Sequence, residues 1–138
     1  MHVSAVRVLV VDDFERWRLI ARATLGQIPG VVIVGDASDG IEAVQKAQEL
    51  EPDLLVLDIG LPNLNGIEVA REIRKVLPVC KIVFLTENNC GDLAEEALNA
   101  GANAYVLKSC AAEELIPAVA AVLENQQFLS ANLTALAL

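Results

Sequence analysis

Asp12-Asp13, Asp58, Thr86 and Lys108 are the residues whose types and spacing could do chemistry together. They supply three carboxylates, one hydroxyl and one ammonium. Each stands at the end of a short apolar run: Val8 to Val11, Leu54 to Leu57, Lys81 to Leu85, and Ala104 to Leu107. Any one of them alone has an ordinary explanation, an acidic helix cap, a strand terminus or a surface lysine. Their joint placement after successive apolar runs does not.

Carboxylates gathered in one crevice repel one another by about 4 kcal/mol per pair at a separation of about 4 Å and an effective dielectric of about 20. Lys108 offsets one charge, and Mg²⁺ would offset two while accepting the oxygen-only ligands present. Asp58 is the expected nucleophile, because a carboxylate can form an aspartyl phosphate. Lys108 would pair with one phosphoryl oxygen and the Thr86 hydroxyl would donate to another, so catalysis would be mostly positioning and electrostatics.

The elements that must position these residues follow from the apolar spacing. Strand-like runs alternate with helical patterns: Val6 to Val11 then Glu15 to Leu25, Val31 to Val34 then Gly40 to Leu50, Leu54 to Leu57 then Ile67 to Val76. Lys81 to Leu85 then Leu93 to Asn99, and Ala104 to Leu107 then Glu113 to Leu123, complete five β/α repeats. Such spacing predicts parallel strands joined by right-handed helical crossovers. Turn signals at Pro29-Gly30, Glu51-Pro52, Leu61-Pro62 with Gly66, and Gly101 support the boundaries. The expected fold is a single α/β unit, a (βα)5 doubly wound parallel sheet in the order 2-1-3-4-5. Ligands of such sheets bind outside the carboxyl ends of the strands, where the five residues stand.

Composition narrows the function classes. Of 138 residues, 54% are apolar but only 4% aromatic, which suits a buried parallel sheet of Val, Leu, Ile and Ala. A formal charge of −9 without a basic patch argues against direct nucleic-acid binding. No apolar run approaches the roughly 20 residues that cross a bilayer, and the N-terminus has no signal-peptide pattern. The expectation is a cytoplasmic protein without membrane contact. Cys80, Cys90 and Cys110 form no C-x-x-C pair and read as reduced thiols, with Cys90 and Cys110 in loops. Trp17 reads as a helix packing residue between exposed Arg16 and Arg18. His2, the only histidine, lies at the terminus, which leaves no Ser-His-Asp triad.

Taken in order, Val8-Leu9-Val10-Val11-Asp12-Asp13, Asp58-Ile59-Gly60-Leu61-Pro62 with Gly66, Thr86, and Tyr105-Val106-Leu107-Lys108 resemble a bacterial two-component response-regulator receiver, with a CheY-like, flavodoxin-like fold. The resemblance covers about residues 5 to 125, and residues 1–125 are assigned to the receiver domain. It implies that Asp13, Asp58 and the backbone carbonyl of Gly60 bind Mg²⁺, with Asp12 acting largely through water. It also implies a sensor histidine kinase as phosphodonor and a readout in which Thr86 moves toward the phosphoryl group and Tyr105 turns inward. That change would alter the face of the fourth helix, fifth strand and fifth helix. Gly101-Ala102-Asn103-Ala104-Tyr105-Val106-Leu107-Lys108-Ser109, with Phe128-Leu129-Ser130, is similar to the NarL/LuxR-type subfamily, whose members usually carry a C-terminal helix-turn-helix domain for transcription regulation.

Departures from that pattern bear on the reaction. Glu87 follows Thr86 where the family usually has a small residue, so phosphorylation would be slowed. Ser109 replaces a frequent proline, which removes the usual reason for a cis peptide after Lys108. Gly60 and Asn88 occupy positions that tune hydrolysis in the family. Residues 126–138 are expected as a tail that forms one short apolar-faced helix, or as a linker toward an output domain outside this chain, or as part of a homodimer contact. The functional expectation is a phosphorylation-dependent switch that is not a turnover enzyme on an external substrate. One alternative is a pseudo-receiver that binds partners independently of phosphate. Another is an aspartyl-phosphate hydrolase of the haloacid-dehalogenase type, but that needs a second Asp where Gly60 stands.

Overall fold

Runs rich in Val, Leu and Ile have too little polar surface to remain in solvent, and their period-two alternation gives each strand two apolar faces. In the computed structural model, which describes residues 5–133, these runs become β1 (Val6–Val11), β2 (Val31–Ala37), β3 (Leu54–Leu57), β4 (Lys81–Thr86) and β5 (Ala104–Leu107). Helices α1 (Glu15–Leu25), α2 (Gly40–Leu50), α3 (Gly66–Val76), α4 (Gly91–Asn99) and α5 (Ala111–Leu123) follow them in strict alternation. All strands pair in parallel, in the order β2-β1-β3-β4-β5-β6. The expected sheet is therefore present with one additional edge strand, β6 (Phe128–Leu129).

The alternation sorts the core into two layers. Leu9, Val11, Leu55, Leu57, Ile82 and Phe84 face α2, α3 and α4 through Ala43, Ala47, Val69, Ile73, Ala94 and Ala97. Val8, Val10, Leu54, Val56, Val83 and Leu85 face α1 and α5 through Ala21, Leu25, Leu115, Ala118 and Val119. Small Ala side chains on the helices let them approach the sheet closely, which is how a core this poor in aromatics reaches close packing. Caps set where the helices enter. The Asp39 side chain accepts from the Glu42 amide at 2.8 Å, and Asn65 and Glu68 form a reciprocal capping box at the start of α3.

Two expectations need correction. β2 runs three residues past Val34, because its ladder with β1 continues through Gly35, Asp36 and Ala37 after a register shift near Val8. The C-terminal stretch does not begin as a helix. It turns at Asn125, whose φ is 62°, and lays Phe128 and Leu129 beside Ala104 and Tyr105. An unpaired edge of β5 would leave backbone donors and acceptors without partners. The Phe128 amide instead donates to the Asn103 carbonyl at 3.2 Å and the Ser130 amide to the Tyr105 carbonyl at 2.9 Å. Residues 134–138 and His2 lie outside the described residues.

Candidate functional site

Four parallel strands end at the same edge of the sheet, and their ends bring the carboxylates and the ammonium into one pocket. Asp12 and Asp13 follow β1, Asp58 follows β3, and Lys108 opens a 3-10 turn (Lys108–Cys110) after β5. Lys108 is 5% exposed, and its Nζ lies 2.8 Å from Asp12 Oδ2 and 3.2 Å from Asp58 Oδ2. The other oxygens are held by backbone. Asp12 Oδ1 accepts from the Phe14 amide at 3.0 Å, and Asp58 Oδ1 accepts from the Ile59 amide at 2.8 Å.

Charge in this pocket is not balanced by protein groups. Carboxylate oxygens of Asp12, Asp13 and Asp58 lie within 4.8 Å of one another, with only Lys108 bonded among them. Burial raises the Asp12 carboxyl above its usual range, partly countered by its bonds from Lys108 and the Phe14 amide and reinforced by the Asp58 charge. Burial alone would lower Lys108, but its bond to Asp12 and the charges of Asp58 and Asp12 outweigh that and leave it raised. Asp13 Oδ1 is buried and has no hydrogen-bond partner among the described residues. A buried acceptor in that state costs free energy unless a cation or another donor meets it. An all-oxygen donor set of this charge fits a hard divalent cation.

Thr86, fully buried at the end of β4, does not bond to any of these four residues. Its Oγ1 accepts from the Asn88 amide at 3.2 Å and from Asn88 Nδ2 at 3.1 Å. The Tyr105 hydroxyl donates to the Asn88 carbonyl at 2.6 Å. Tyr105 is fully buried, so its inward orientation, expected only after phosphorylation, is already present. Burial, then the charges of Cys90 and Asp58, push its phenol up. Gly60 and Glu87 are both exposed in the loops that rim the pocket. No peptide bond among the described residues is cis.

Several residues that sequence reasoning passed over carry part of the site. Trp17 is half-buried rather than simple packing, with the Lys108 ammonium 5.0 Å from its ring centroid, and Phe14 lies 5.9 Å from the same ammonium. Their separation of three residues immediately after the acidic pair was the available signal, since such spacing puts both rings on one side of a first helical turn. Arg18 is not an exposed neighbour: its Nη1 donates to the Asp12 carbonyl at 2.8 Å. Asn88 is the shared partner of Thr86 and Tyr105. Cys110 is buried rather than a loop thiol, and Asn132 Nδ2 lies 3.4 Å from its sulfur. No helix among the described residues is long and apolar enough to cross a membrane.

An open parallel α/β sheet with an acidic, lysine-bridged pocket at its carboxyl edge defines a class of phosphoryl- and metal-handling signalling modules. Residues 8–120 match the family model described as response regulator receiver domain, and the chain belongs to that family, the receiver part of two-component systems. It is 34% identical over 122 residues to the response regulator protein VraR of Staphylococcus epidermidis, which covers 88% of this chain and 58% of VraR. It is 34% identical over 125 residues to the response regulator GacA of Pseudomonas viridiflava, covering 91% and 58%. The chain thus spans a little over half the length of these curated relatives. Among solved structures it is similar to a LuxR-family two-component response regulator from Aurantimonas sp. SI85-9A1, at 34% identity and a TM-score of 0.89, covering 94% of this chain and 93% of that one. The isolated receiver domain of RcsB from Salmonella enterica, solved with the phosphomimetic BeF3-, aligns at 26% identity and a TM-score of 0.85, covering 91% and 94%.

Proposed function

We propose that this chain is a phosphorylation-operated switch that accepts a phosphoryl group on Asp58 from a sensor histidine kinase. The observation that carries the reading is the Lys108 ammonium bridging Asp12 and Asp58 beside the orphaned oxygen of Asp13. An Asp58 oxygen forms the new O–P bond while the donor's bond to phosphorus breaks, and the leaving group departs with that electron pair. Lys108, already on Asp58 Oδ2, pairs with a phosphoryl oxygen as charge builds there. Thr86 is an acceptor in both of its bonds to Asn88, so its hydroxyl proton is free to point at a second phosphoryl oxygen.

Asp13 and Asp58, with the Gly60 backbone carbonyl and Asp12 through water, would hold Mg²⁺, which supplies the positive charge that lets an anionic group enter an acidic site. Movement of Thr86 toward the phosphoryl group would release its bonds to Asn88 and so loosen the Tyr105 contact, carrying the change to the face formed by α4, β5 and α5. The group then leaves by hydrolysis at Asp58, with no turnover of an external substrate. The relatives are response regulators, and RcsB has been solved bound to DNA. An output DNA-binding domain outside these residues, a cytoplasmic setting and a homodimer in the active state fit this reading.

Intact mass after incubation with Mg²⁺ and acetyl phosphate tests it. One base-labile phosphoryl adduct is expected, absent from Asp58→Asn and from a chelated control. The second reading, a partner-binding module that no longer switches, is favoured by one observation, that Tyr105 is already turned inward. It predicts no adduct under any of these conditions and no change in partner binding between wild type and Asp58→Asn.

A further inference from the structure

Lys108 is surrounded by more than its two carboxylates. Its Nζ sits over the ring of Trp17, 5.0 Å from the centroid, and 5.9 Å from the centroid of Phe14. Both distances are within the range at which the quadrupole of an aromatic face attracts a cation, and indole is the strongest of the common rings in this respect. Lys108 is 5% exposed, so bulk water does little to satisfy its ammonium. Two bonds go to Asp12 Oδ2 and Asp58 Oδ2, and the aromatic surface supplies the rest of the surroundings.

The contact matters because a lysine stem has many rotamers and its head group is a compact point charge. When a phosphoryl group joins Asp58, the ammonium must leave its resting bond on the carboxylate and follow the developing charge, without escaping to solvent. Carboxylates cannot enforce this alone, since one of them is the group being changed. Aromatic rings do not alter during the reaction and hold a cation wherever it slides along their face.

We propose that Trp17, with Phe14 beside it, is a positioning residue for phosphoryl transfer: its ring face keeps the Lys108 ammonium within reach of Asp58 as the bond to phosphorus forms. This rests on the reading of Asp58 as the phosphoryl acceptor. Trp17 itself touches neither phosphorus nor the reacting oxygen and acts only through Lys108.

The chain contains one tryptophan, so biosynthetic replacement by mono-, di- and trifluorinated tryptophan alters this ring alone. Fluorination withdraws charge from the ring face with little change in its shape. The phosphorylation rate constant with acetyl phosphate and Mg²⁺ should fall stepwise along the series, while urea stability and Mg²⁺ affinity stay level. Trp17→Leu, which keeps an apolar filler without a ring, should slow the reaction by about 3- to 10-fold, and Trp17→Phe should recover most of it. A purely structural role would move stability and not follow the fluorine number. Equal rates along the series in a protein that does take the phosphoryl group would overturn the role of the ring and leave the acceptor reading intact. A wild-type protein that takes none overturns both.

Discussion

Gly66, the first residue of α3, lies so close to Asp58 that a Cβ on it would stand 2.1 Å from the Asp58 carbonyl oxygen and 2.7 Å from Ile59 Cα. The Gly66 amide also donates to the Ile59 carbonyl at 2.8 Å, so the segment carrying Asp58 is stitched directly to the start of the helix. No flexible side chain is available to give way. Gly66→Ala is expected to cost about 1–3 kcal/mol in urea unfolding and to depress phosphoryl uptake at Asp58. Gly60→Ala, where a Cβ meets nothing within 4 Å, should leave the unfolding midpoint in place.

Lys108→Met removes the only cation bonded to Asp12 and Asp58 and leaves two buried carboxylates facing each other. Breaking a buried pair from one side costs about 3–5 kcal/mol. Mg²⁺ bound among Asp12, Asp13 and Asp58 would recover part of that loss, because a ligand of the folded state stabilises it by mass action. Thermal denaturation with and without Mg²⁺ should therefore show a larger metal-dependent rise in Tm for Lys108→Met than for wild type. Equal rises would contradict a shared cation site.

Ser130 ties the sixth strand to the rest of the domain. Its hydroxyl donates to Glu114 of α5 and accepts from the Leu107 amide at 3.3 Å, and the Ala131 amide reaches Glu114 Oε2 at 3.0 Å. Ser130 is 5% exposed, so Ser130→Ala strands the Leu107 amide and one Glu114 oxygen without replacing either partner. A loss of about 1–3 kcal/mol is expected in urea unfolding. Faster amide exchange at Leu107 than in wild type would locate the effect.

Burial pushes the Cys80 thiol up to about 11 from 9.0, with the Arg74 charge partly opposing it. Burial likewise raises Tyr105 above 10.0. Both groups hold their protons more tightly folded than unfolded, so their stabilisation is complete below the unfolded pKa and is lost as pH rises toward the folded one. Unfolding free energy should fall between about pH 9 and about pH 11, the thiol alone accounting for about 2–3 kcal/mol. Chemical denaturation across that range, with Cys80→Ala as the comparison, should show a shallower decline in the variant.

The local pattern was enough to place most of the site. Val8 to Val11 and Leu54 to Leu57 alternate between the two core layers as period-two runs must, and the turn residues after them mark where side chains can face solvent. Because parallel strands all end at one edge, reading the residue after each run is the same as reading the pocket, and Asp12, Asp13, Asp58 and Lys108 are brought together there. The tail was not legible in this way. Phe128 and Leu129 have apolar neighbours compatible with a helix, and only the open edge of β5 makes a strand the better use of their backbone.

The sequence by itself determined the alternation of strands and helices, the chemistry of the edge residues and the family, since these depend on local periodicity and on residue type. Only the tertiary structure decided that Asp13 keeps a buried oxygen without a donor, that Asn88 joins Thr86 to Tyr105, and that Trp17 covers Lys108. Those relations join groups from different strands and helices, and their distances are set by how the layers pack, which no window along the chain records.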